Sequence, residues 1–292
     1  MYKLIVSDMD GTLLNSSGEI SKENADAIKE AMKSGVEFAI VTGRPYVSAK
    51  SILKESGIKC SVIGCNGAQV ADENGNIVKT HYINRDSLNA IIKRAEKANI
   101  YYHIYDDNYI YTKSRFDLLK VLKNYSKSAV SSQFSIRKII RGIKRLYFTE
   151  VNVKRNLAAF AASKKGGFYK IQVSSTDKEA LAKFKESIKG IPHVDITSSN
   201  YYNVEVGVEG VTKGTALKEL ADLKGIKREE IIAMGDNYND MPMLVYAGCG
   251  VAMDNAVDEV KAACSFHTKS NDDHGAAYAI QKLIFDGEFH RE

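Results

Sequence analysis

Two acidic side chains near the amino terminus lie where a short apolar segment ends. Asp8 and Asp10 follow the apolar run at residues 4–6, which is typical of a buried parallel strand. Side chains two residues apart on an extended chain point to the same side, so both carboxylates can face one small volume. Both could be ionised there only if a cation neutralised them. The pattern therefore predicts a divalent metal site, and Gly11 allows the sharp turn by which the chain leaves the strand.

Three later segments supply a hydroxyl, a cation and further acids. In chain order they are Thr42-Gly43-Arg44 after the apolar run 38–41, Lys213-Gly214 before a helical pattern at 215–223, and Gly235-Asp236-Asn237-Tyr238-Asn239-Asp240 after the apolar run 231–234. The hydroxyl and the exposed amides of the first segment could hold a phosphate. Ligands of open α/β sheets collect at the carboxyl ends of the strands. This is where Asp8 and Asp10 are also expected.

In this order the segments resemble the four signature motifs of the haloacid dehalogenase-like superfamily. The match includes its D-x-D-G-T form at 8–12 and its G-D-x-x-N-D form at 235–240. Four further segments are similar to the Cof-type phosphatases, subclass IIB, and they are Cys65-Asn66-Gly67-Ala68, 205–217, 251–256 and 271–275. The resemblance covers nearly the whole chain outside its middle. Asp254, where the family often has glycine, and Asp273-His274, where it often has Glu-Asp, depart from the pattern.

The resemblance implies a role for each principal site residue. Asp8 would be the nucleophile that forms an aspartyl-phosphate. Asp10 would protonate the leaving oxygen and then deprotonate the attacking water. Mg²⁺ would be held by the Asp8 carboxylate, the Asp10 backbone carbonyl and Asp236, because this cation prefers hard oxygen ligands. Lys213 would neutralise charge on Asp8 and on the transferring group, while Thr42 and the amides beside it would bind phosphate oxygens.

Several further candidates also have an ordinary structural explanation. Gly43, Arg44, Asn66 and Asn239 are candidate phosphate or substrate contacts, and Asp240 is a candidate to orient the metal waters or Lys213. Asn239 and Asp240 could instead cap a predicted helix at 241–245. Arg44 could simply pair with a surface acid. These alternatives stay open at the level of sequence.

Composition limits the class of protein. The 292 residues are 44% hydrophobic, which is ordinary for a globular chain with room for a core domain and a second unit. No run approaches the roughly 20 apolar residues of a membrane span, and Lys3 and Asp8 interrupt the start, which argues against a signal peptide. The four cysteines form no C-x-x-C pair. We therefore expect a cytoplasmic protein with neither a disulfide nor a zinc framework.

Alternating strand and helix patterns at both ends of the chain predict an α/β fold with a doubly wound, Rossmann-like parallel sheet. The middle has a different character, with tyrosine-rich β patterns that include an antiparallel hairpin. The strands predicted there are Tyr101–Tyr105, Tyr109–Tyr111, Lys170–Ser174 and more than one within 194–208. We expect a catalytic core at 1–83 and 208–292, interrupted by an inserted α+β cap domain at 84–207. The resemblance implies that this cap determines substrate specificity.

Charge divides along the predicted boundary. Residues 84–207 contain 23 Lys and Arg against 11 Asp and Glu, and the remaining residues contain 18 against 25. A basic cap and an acidic, metal-binding core suit an anionic substrate. Arg137, Arg141 and Arg145 share one face of a predicted amphipathic helix. This face could simply be solvated, or its charge could attract anionic substrates. No recognisable motif accompanies this basic region, so we expect no specific nucleic-acid partner.

These features predict a Mg²⁺-dependent phosphatase. Its partner would be a small phosphorylated metabolite, with sugar phosphates, phosphorylated cofactors and nucleotides as the leading classes, and no membrane is involved. A sugar phosphomutase shares the aspartyl-phosphate and is the alternative on the same fold. A non-catalytic regulatory or binding module is the alternative of another class. Every catalytic position is filled, which favours an enzyme.

Overall fold

The structure is a computed structural model, and it describes residues 1–107, 109–117, 151–198 and 202–287. The chain divides into two compact units. We call Met1–Thr80 with Thr212–Glu292 the core unit, and His81–Val211 the inserted unit. The predicted helix with Arg137, Arg141 and Arg145 lies outside the described residues. None of the helices in the described ranges combines the length and apolar character that a membrane crossing requires.

A mixed eight-stranded sheet forms the centre of the described core unit. In spatial order its strands are Phe266–His267, Cys249–Ala252, Ile231–Gly235, Leu4–Ser7, Glu37–Val41, Ser61–Gly64, Gln69–Ala71 and Ile77–Thr80. The first six strands are parallel to one another, and the last two extend the sheet by antiparallel pairing. The predicted α/β fold with a parallel core sheet is therefore confirmed. Leu4–Ser7 lies between Ile231–Gly235 and Glu37–Val41, so the carboxyl ends of these three strands are adjacent.

Both faces of this sheet are covered, which explains why its central strands consist mostly of apolar residues. The helices of the core unit are Lys22–Lys33, Tyr46–Ser56, Lys213–Lys224, Met241–Tyr246, Asp258–Ala263 and Gly275–Ile280. On one face, Ile5 and Ile40 lie in a buried cluster with Ile28 of the first helix. On the other face, Val6 lies in a second cluster with Leu217. Burial on both sides fixes the strand ends that carry the polar residues.

The inserted unit contains a second sheet. Its six strands among the described residues are, in order, Val194–Thr197, Asn203–Val208, Lys170–Ser174, Tyr101–Tyr105, Ile110–Thr112 and Val151–Val153. All neighbours are antiparallel except the last two strands. The helices Arg85–Lys97, Leu157–Ser163 and Lys178–Ile188 contribute side chains to one apolar cluster with Ile104 and Ile171. The predicted hairpin and the predicted strand at residues 170–174 are both present.

Alternation along the strands of the inserted unit places polar side chains opposite that apolar cluster. His103 is buried there, and its Nε2 lies 2.8 Å from the hydroxyl of Tyr105. Lys170 Nζ donates a hydrogen bond of 2.9 Å to Glu205 Oε2, and both side chains are buried. The unit therefore contains a buried ion pair of its own.

Candidate active site

The centre of the candidate site is a lysine with almost no contact with solvent. The side chain of Lys213 is 1% exposed, and its Nζ donates to Asp8 Oδ1 at 2.6 Å and to Asp240 Oδ1 at 2.5 Å. Burial opposes the charged form, but the attraction of the two carboxylates is stronger and raises the pKa of Lys213. Lys213 is therefore a permanent cation between residues from two different strand ends.

Local structure places Lys213 at the first position of its helix. Thr212 caps that helix, because its side chain accepts a hydrogen bond of 3.1 Å from the Thr215 amide. The next residue is Gly214, where a Cβ would lie 2.5 Å from the backbone carbonyl of Pro242. The Lys-Gly pair thus allows two helices to approach closely and brings the lysine to the acids.

Asp240 supports two parts of the site at once. Its Oδ1 accepts from Lys213, and its Oδ2 accepts the amide hydrogens of Asp236 and Asn237, both at 3.0 Å. Both carboxylate oxygens are therefore occupied by protein donors. Asp240 orients the lysine and also shapes the loop that carries Asp236.

Three acids lie close together around this lysine. Asp8, Asp236 and Asp240 each offer an oxygen atom within 4.8 Å of the others. Burial raises the pKa of Asp8 well above its usual range; Lys213 opposes this, and the neighbouring acids Asp240 and Asp236 add to it. Burial also raises the pKa of Asp236 to about 6, against a hydrogen bond from Thr12 that favours ionisation. The single positive charge of Lys213 does not neutralise these three carboxyl groups when all of them are ionised.

Asp10 is separated from these acids by its environment. Its side chain is 57% exposed, and its two oxygens accept hydrogen bonds of 2.6 Å from Nε and Nη2 of Arg44. This bidentate geometry is typical of a charge-assisted pair between a guanidinium and a carboxylate. The exposed acid that Arg44 pairs with is thus Asp10, the predicted acid–base residue itself.

The remaining predicted residues form a group beside Thr42. Thr42 is fully buried, and its Oγ1 accepts the Arg44 amide hydrogen at 3.1 Å. Asn66 has a left-handed backbone with φ 57°, and its Oδ1 accepts from Asn239 Nδ2 at 3.3 Å. A Cβ on Gly43 would lie 3.1 Å from the same Oδ1. Residues from three loops therefore meet at this point.

Comparisons with known proteins agree along nearly the whole chain. A family model described as haloacid dehalogenase-like hydrolase matches residues 5–280. The chain belongs to the haloacid dehalogenase-like hydrolases. Phosphatase YwpJ of Bacillus subtilis is 34% identical over 286 residues, covering 97% of this chain and 100% of the relative. A solved haloacid dehalogenase-like hydrolase from B. subtilis is 33% identical with a TM-score of 0.85, covering 97% of this chain and 100% of that one.

A further relative has a name that states its substrate. It is the 5-amino-6-(5-phospho-D-ribitylamino)uracil phosphatase YwtE of B. subtilis, 32% identical over 291 residues, with 97% of this chain and 98% of the relative covered. The predicted family and the predicted enzyme class, a phosphoric monoester hydrolase, are confirmed by these matches.

The residues of this haloacid dehalogenase-like hydrolase fit a divalent cation. The acidic groups are Asp8, Asp10, Asp236 and Asp240, and the cations they contact are Lys213 and Arg44. Four carboxylates against two cations leave two negative charges, and the ligand atoms on offer are all hard oxygens. Burial and, after it, the charge of neighbouring acids raise the pKa of Asp8 and Asp236, and a bound divalent cation would favour the ionised form of both.

Sequence reasoning missed Thr12 as a site residue. Its Oγ1 donates to Asp236 Oδ1 at 2.7 Å. Gly11 lies beside this contact with φ +88°, and a Cβ there would be 2.4 Å from Asp236 Oδ2. The signal was present in the D-x-D-G-T string, because a glycine and a hydroxyl directly after two acids permit such an approach.

Proposed function

We propose that the protein is a Mg²⁺-dependent phosphatase that hydrolyses small phosphorylated metabolites through an aspartyl-phosphate on Asp8. The observation that carries the proposal is the position of Lys213, which is buried and bonded to Asp8 and Asp240. A lysine fixed on one carboxylate oxygen leaves that acid oriented and partly neutralised. Both properties are needed before a carboxylate can approach a phosphate dianion.

Asp8 begins the reaction by attacking phosphorus in line with the ester oxygen. The new bond joins an Asp8 oxygen to phosphorus, and the bond to the ester oxygen breaks. Mg²⁺, held by the Asp8 carboxylate, the Asp10 carbonyl and Asp236, would supply charge neutralisation between nucleophile and phosphate. Lys213 stays on Asp8 throughout and stabilises the charge that develops on the transferring group.

Asp10 moves the protons of both half-reactions. It gives its proton to the leaving ester oxygen and later accepts a proton from the water that attacks the aspartyl-phosphate. In the structure its carboxylate is bound by Arg44, which suits the second step. The first step requires a protonated Asp10, so we assign Arg44 to move from this carboxylate to the substrate phosphate. Thr42 and Asn66 with Asn239 complete the phosphate contacts.

The relatives and the inserted unit support a proposal for the substrate class. We propose that the inserted unit is a specificity cap and that the substrates carry a polar or anionic leaving group. One relative acts on a ribitylamino-uracil phosphate by its name, so phosphorylated polyols and flavin-type precursors belong in the first panel, beside sugar phosphates and nucleotides.

A phosphate-release screen over that panel with Mg²⁺ present tests the proposal. We expect release from at least one alkyl phosphate and none with Asp8→Asn, which keeps the shape of the side chain but removes its negative charge. Folding of the variant is checked by thermal denaturation. Phosphate release by folded Asp8→Asn protein would refute the covalent mechanism, and isomerised sugar phosphate without released phosphate would identify a mutase instead.

A further inference from the structure

The loop after the Cys249–Ala252 strand is tied to the loop that carries Asp236. The amide of Met253 donates to the carbonyl of Gly235 at 3.2 Å, and the amide of Val257 donates to the carbonyl of Asp236 at 3.1 Å. One of these backbone hydrogen bonds comes directly before residues 254–256 and the other directly after them. This short segment is therefore held in place relative to Asp236.

Asn255 reaches from this segment to the turn that follows Asp10. Its Nδ2 donates to the carbonyl oxygen of Gly11 at 2.8 Å, and its Oδ1 accepts the amide hydrogen of Asn271 at 2.9 Å. Both ends of the side-chain amide are thus used, which fixes its orientation. The contact joins residues 244 positions apart in the chain.

The other side of the same turn touches Asp236. Thr12 donates to Asp236 Oδ1 at 2.7 Å, and Gly11 is so close that a Cβ would lie 2.4 Å from Oδ2. The turn is therefore held from two directions, by Asp236 itself and by Asn255. If Asn255 were replaced, Gly11 and Thr12 would keep their contacts with Asp236. The carbonyl oxygen of Gly11 would lose its hydrogen bond, so the peptide between Gly11 and Thr12 would be held less firmly.

We propose that Asn255 is a positioning residue that sets the spacing between the Asp10–Thr12 turn and Asp236, and thereby the affinity of the site for its divalent cation. The inference rests on the proposed function, in which the Asp10 carbonyl and Asp236 both face that cation. Residues that orient metal ligands typically change metal affinity or activity by about 10- to 100-fold when they are replaced. Asn255 is exposed, so its replacement leaves the core packing intact.

Asn271 provides a matched control. Its Nδ2 donates to the carbonyl of Leu14 at 2.8 Å, the same length as the bond from Asn255 to Gly11. Asn271→Ala removes that side-chain bond but keeps the backbone amide that Asn255 accepts from. A purely structural role for Asn255 predicts the same behaviour in both variants.

The experiment compares wild type, Asn255→Ala, Asn255→Leu and Asn271→Ala. Isothermal titration calorimetry of metal-free protein gives the Kd for Mg²⁺, and thermal denaturation without metal gives Tm. The Mg²⁺ concentration for half-maximal aryl phosphate hydrolysis is the third readout. We expect both Asn255 variants to raise the Kd and the half-maximal concentration at least about 10-fold. Asn271→Ala should lower Tm as much as Asn255→Ala does and leave the Kd unchanged.

An unchanged Kd in both Asn255 variants would overturn the inference, and so would equal Kd changes in Asn255→Ala and Asn271→Ala. Failure of the proposed function has a different signature. In that case wild-type protein binds no Mg²⁺, or folded Asp8→Asn protein still turns over, whatever the Asn255 variants do.

Discussion

Each unit of this protein contains a buried lysine, and the two lysines differ in the number of acids around them. In the core unit, Lys213 contacts Asp8 and Asp240 at 2.6 and 2.5 Å, with Asp236 beside them. In the inserted unit, Lys170 pairs with Glu205 at 2.9 Å, and the side chains are 8% and 9% exposed. Asn203 adds a neutral donor to that glutamate at 3.4 Å.

The difference separates a structural ion pair from a reactive site. One lysine and one glutamate balance each other, so removing either leaves a buried charge but the intact pair needs no further ion. Three acids around one lysine are not balanced; burial raises the pKa of Asp8 and of Asp236, and the charge of the neighbouring acids adds to the rise. Perturbed acids of this kind are characteristic of functional sites. Burial of a lysine alone would not have distinguished the two units.

Metal removal should have the largest effect, because the acids around Lys213 are not neutralised by that lysine alone. We expect EDTA to abolish phosphate release and added Mg²⁺ to restore it, whereas Ca²⁺, with its larger coordination shell, should support little turnover. Since the pKa of Asp236 is raised to about 6, protons compete with the cation, and Mg²⁺ affinity should fall as the pH drops below that value. Full activity after thorough chelation would contradict the charge argument.

Replacing the two lysines by methionine separates their roles. Lys213→Met should lower kcat for an aryl phosphate by on the order of 10² to 10³, because a preorganised charge on the nucleophile and phosphate is lost. Lys170→Met should leave that kcat near the wild-type value but reduce stability by about 3–5 kcal/mol, because Glu205 remains buried without its partner. Steady-state kinetics and urea unfolding of both variants provide the check. Equal losses of kcat in Lys213→Met and Lys170→Met would contradict the distinction between a reactive site and a structural ion pair.

Substitutions of Arg44 test whether its positive charge, next to Asp10, contributes to activity. Arg44→Gln should lower kcat/KM for phosphate esters about 10-fold or more, since charge-assisted hydrogen bonds contribute about 1.5–3 kcal/mol. Arg44→Lys keeps the charge but cannot form the same two-pronged contact, so it should recover only part of the loss. If Arg44→Gln matches wild type in kcat/KM, the contact with Asp10 is an ordinary surface ion pair.

The smallest expected effect concerns acid stability in the inserted unit. The pKa of His103 is lowered to about 3, mainly by burial and then by the charge of Lys170, while Glu205 opposes the shift. If His103 stays neutral in the folded protein, the protein loses stability as the pH falls below about 6.5, the pKa of histidine in the unfolded chain. The reason is that the unfolded chain then binds a proton and the folded protein does not. The loss between pH 7 and pH 5 amounts to about 2 kcal/mol.

His103→Gln has no such proton to bind, so its unfolding free energy should vary less over that range. Urea unfolding of both proteins at the two pH values measures the difference. An identical pH dependence in the variant and the wild type would remove His103 as the cause.

The candidate site could be predicted from the sequence because its principal residues follow strand ends. Thr42 and Asp236 come directly after apolar runs that pair with Leu4–Ser7 on either side, so the parallel sheet brings them to Asp8. Gly11 and Gly214 were visible as glycines, but the close approaches that require them depend on Asp236 and Pro242. The parallel sheet could be inferred from the chain, and these contacts could not.

The missed features are contacts that side chains make between distant loops. The bond from Asn255 to Gly11 and the pairing of Arg44 with Asp10 have no periodic pattern, because each depends on where two loops meet after folding. Asp240 was predicted as a supporting group, but its two-sided bonding to Lys213 and to the Asp236 loop is visible only in three dimensions.

Detection of a phosphoryl group on Asp8 tests the central claim most directly. Asp10→Asn protein is suited to this measurement, because an aryl phosphate needs little help from an acid to leave, whereas hydrolysis of the aspartyl-phosphate needs the lost base. Acid quenching during turnover, followed by peptide mass spectrometry, should show one phosphoryl group on the peptide that contains Asp8. The group should be absent when Asp8→Asn is added to the same protein. Turnover without any such adduct, or an adduct that persists in the double variant, would contradict the account.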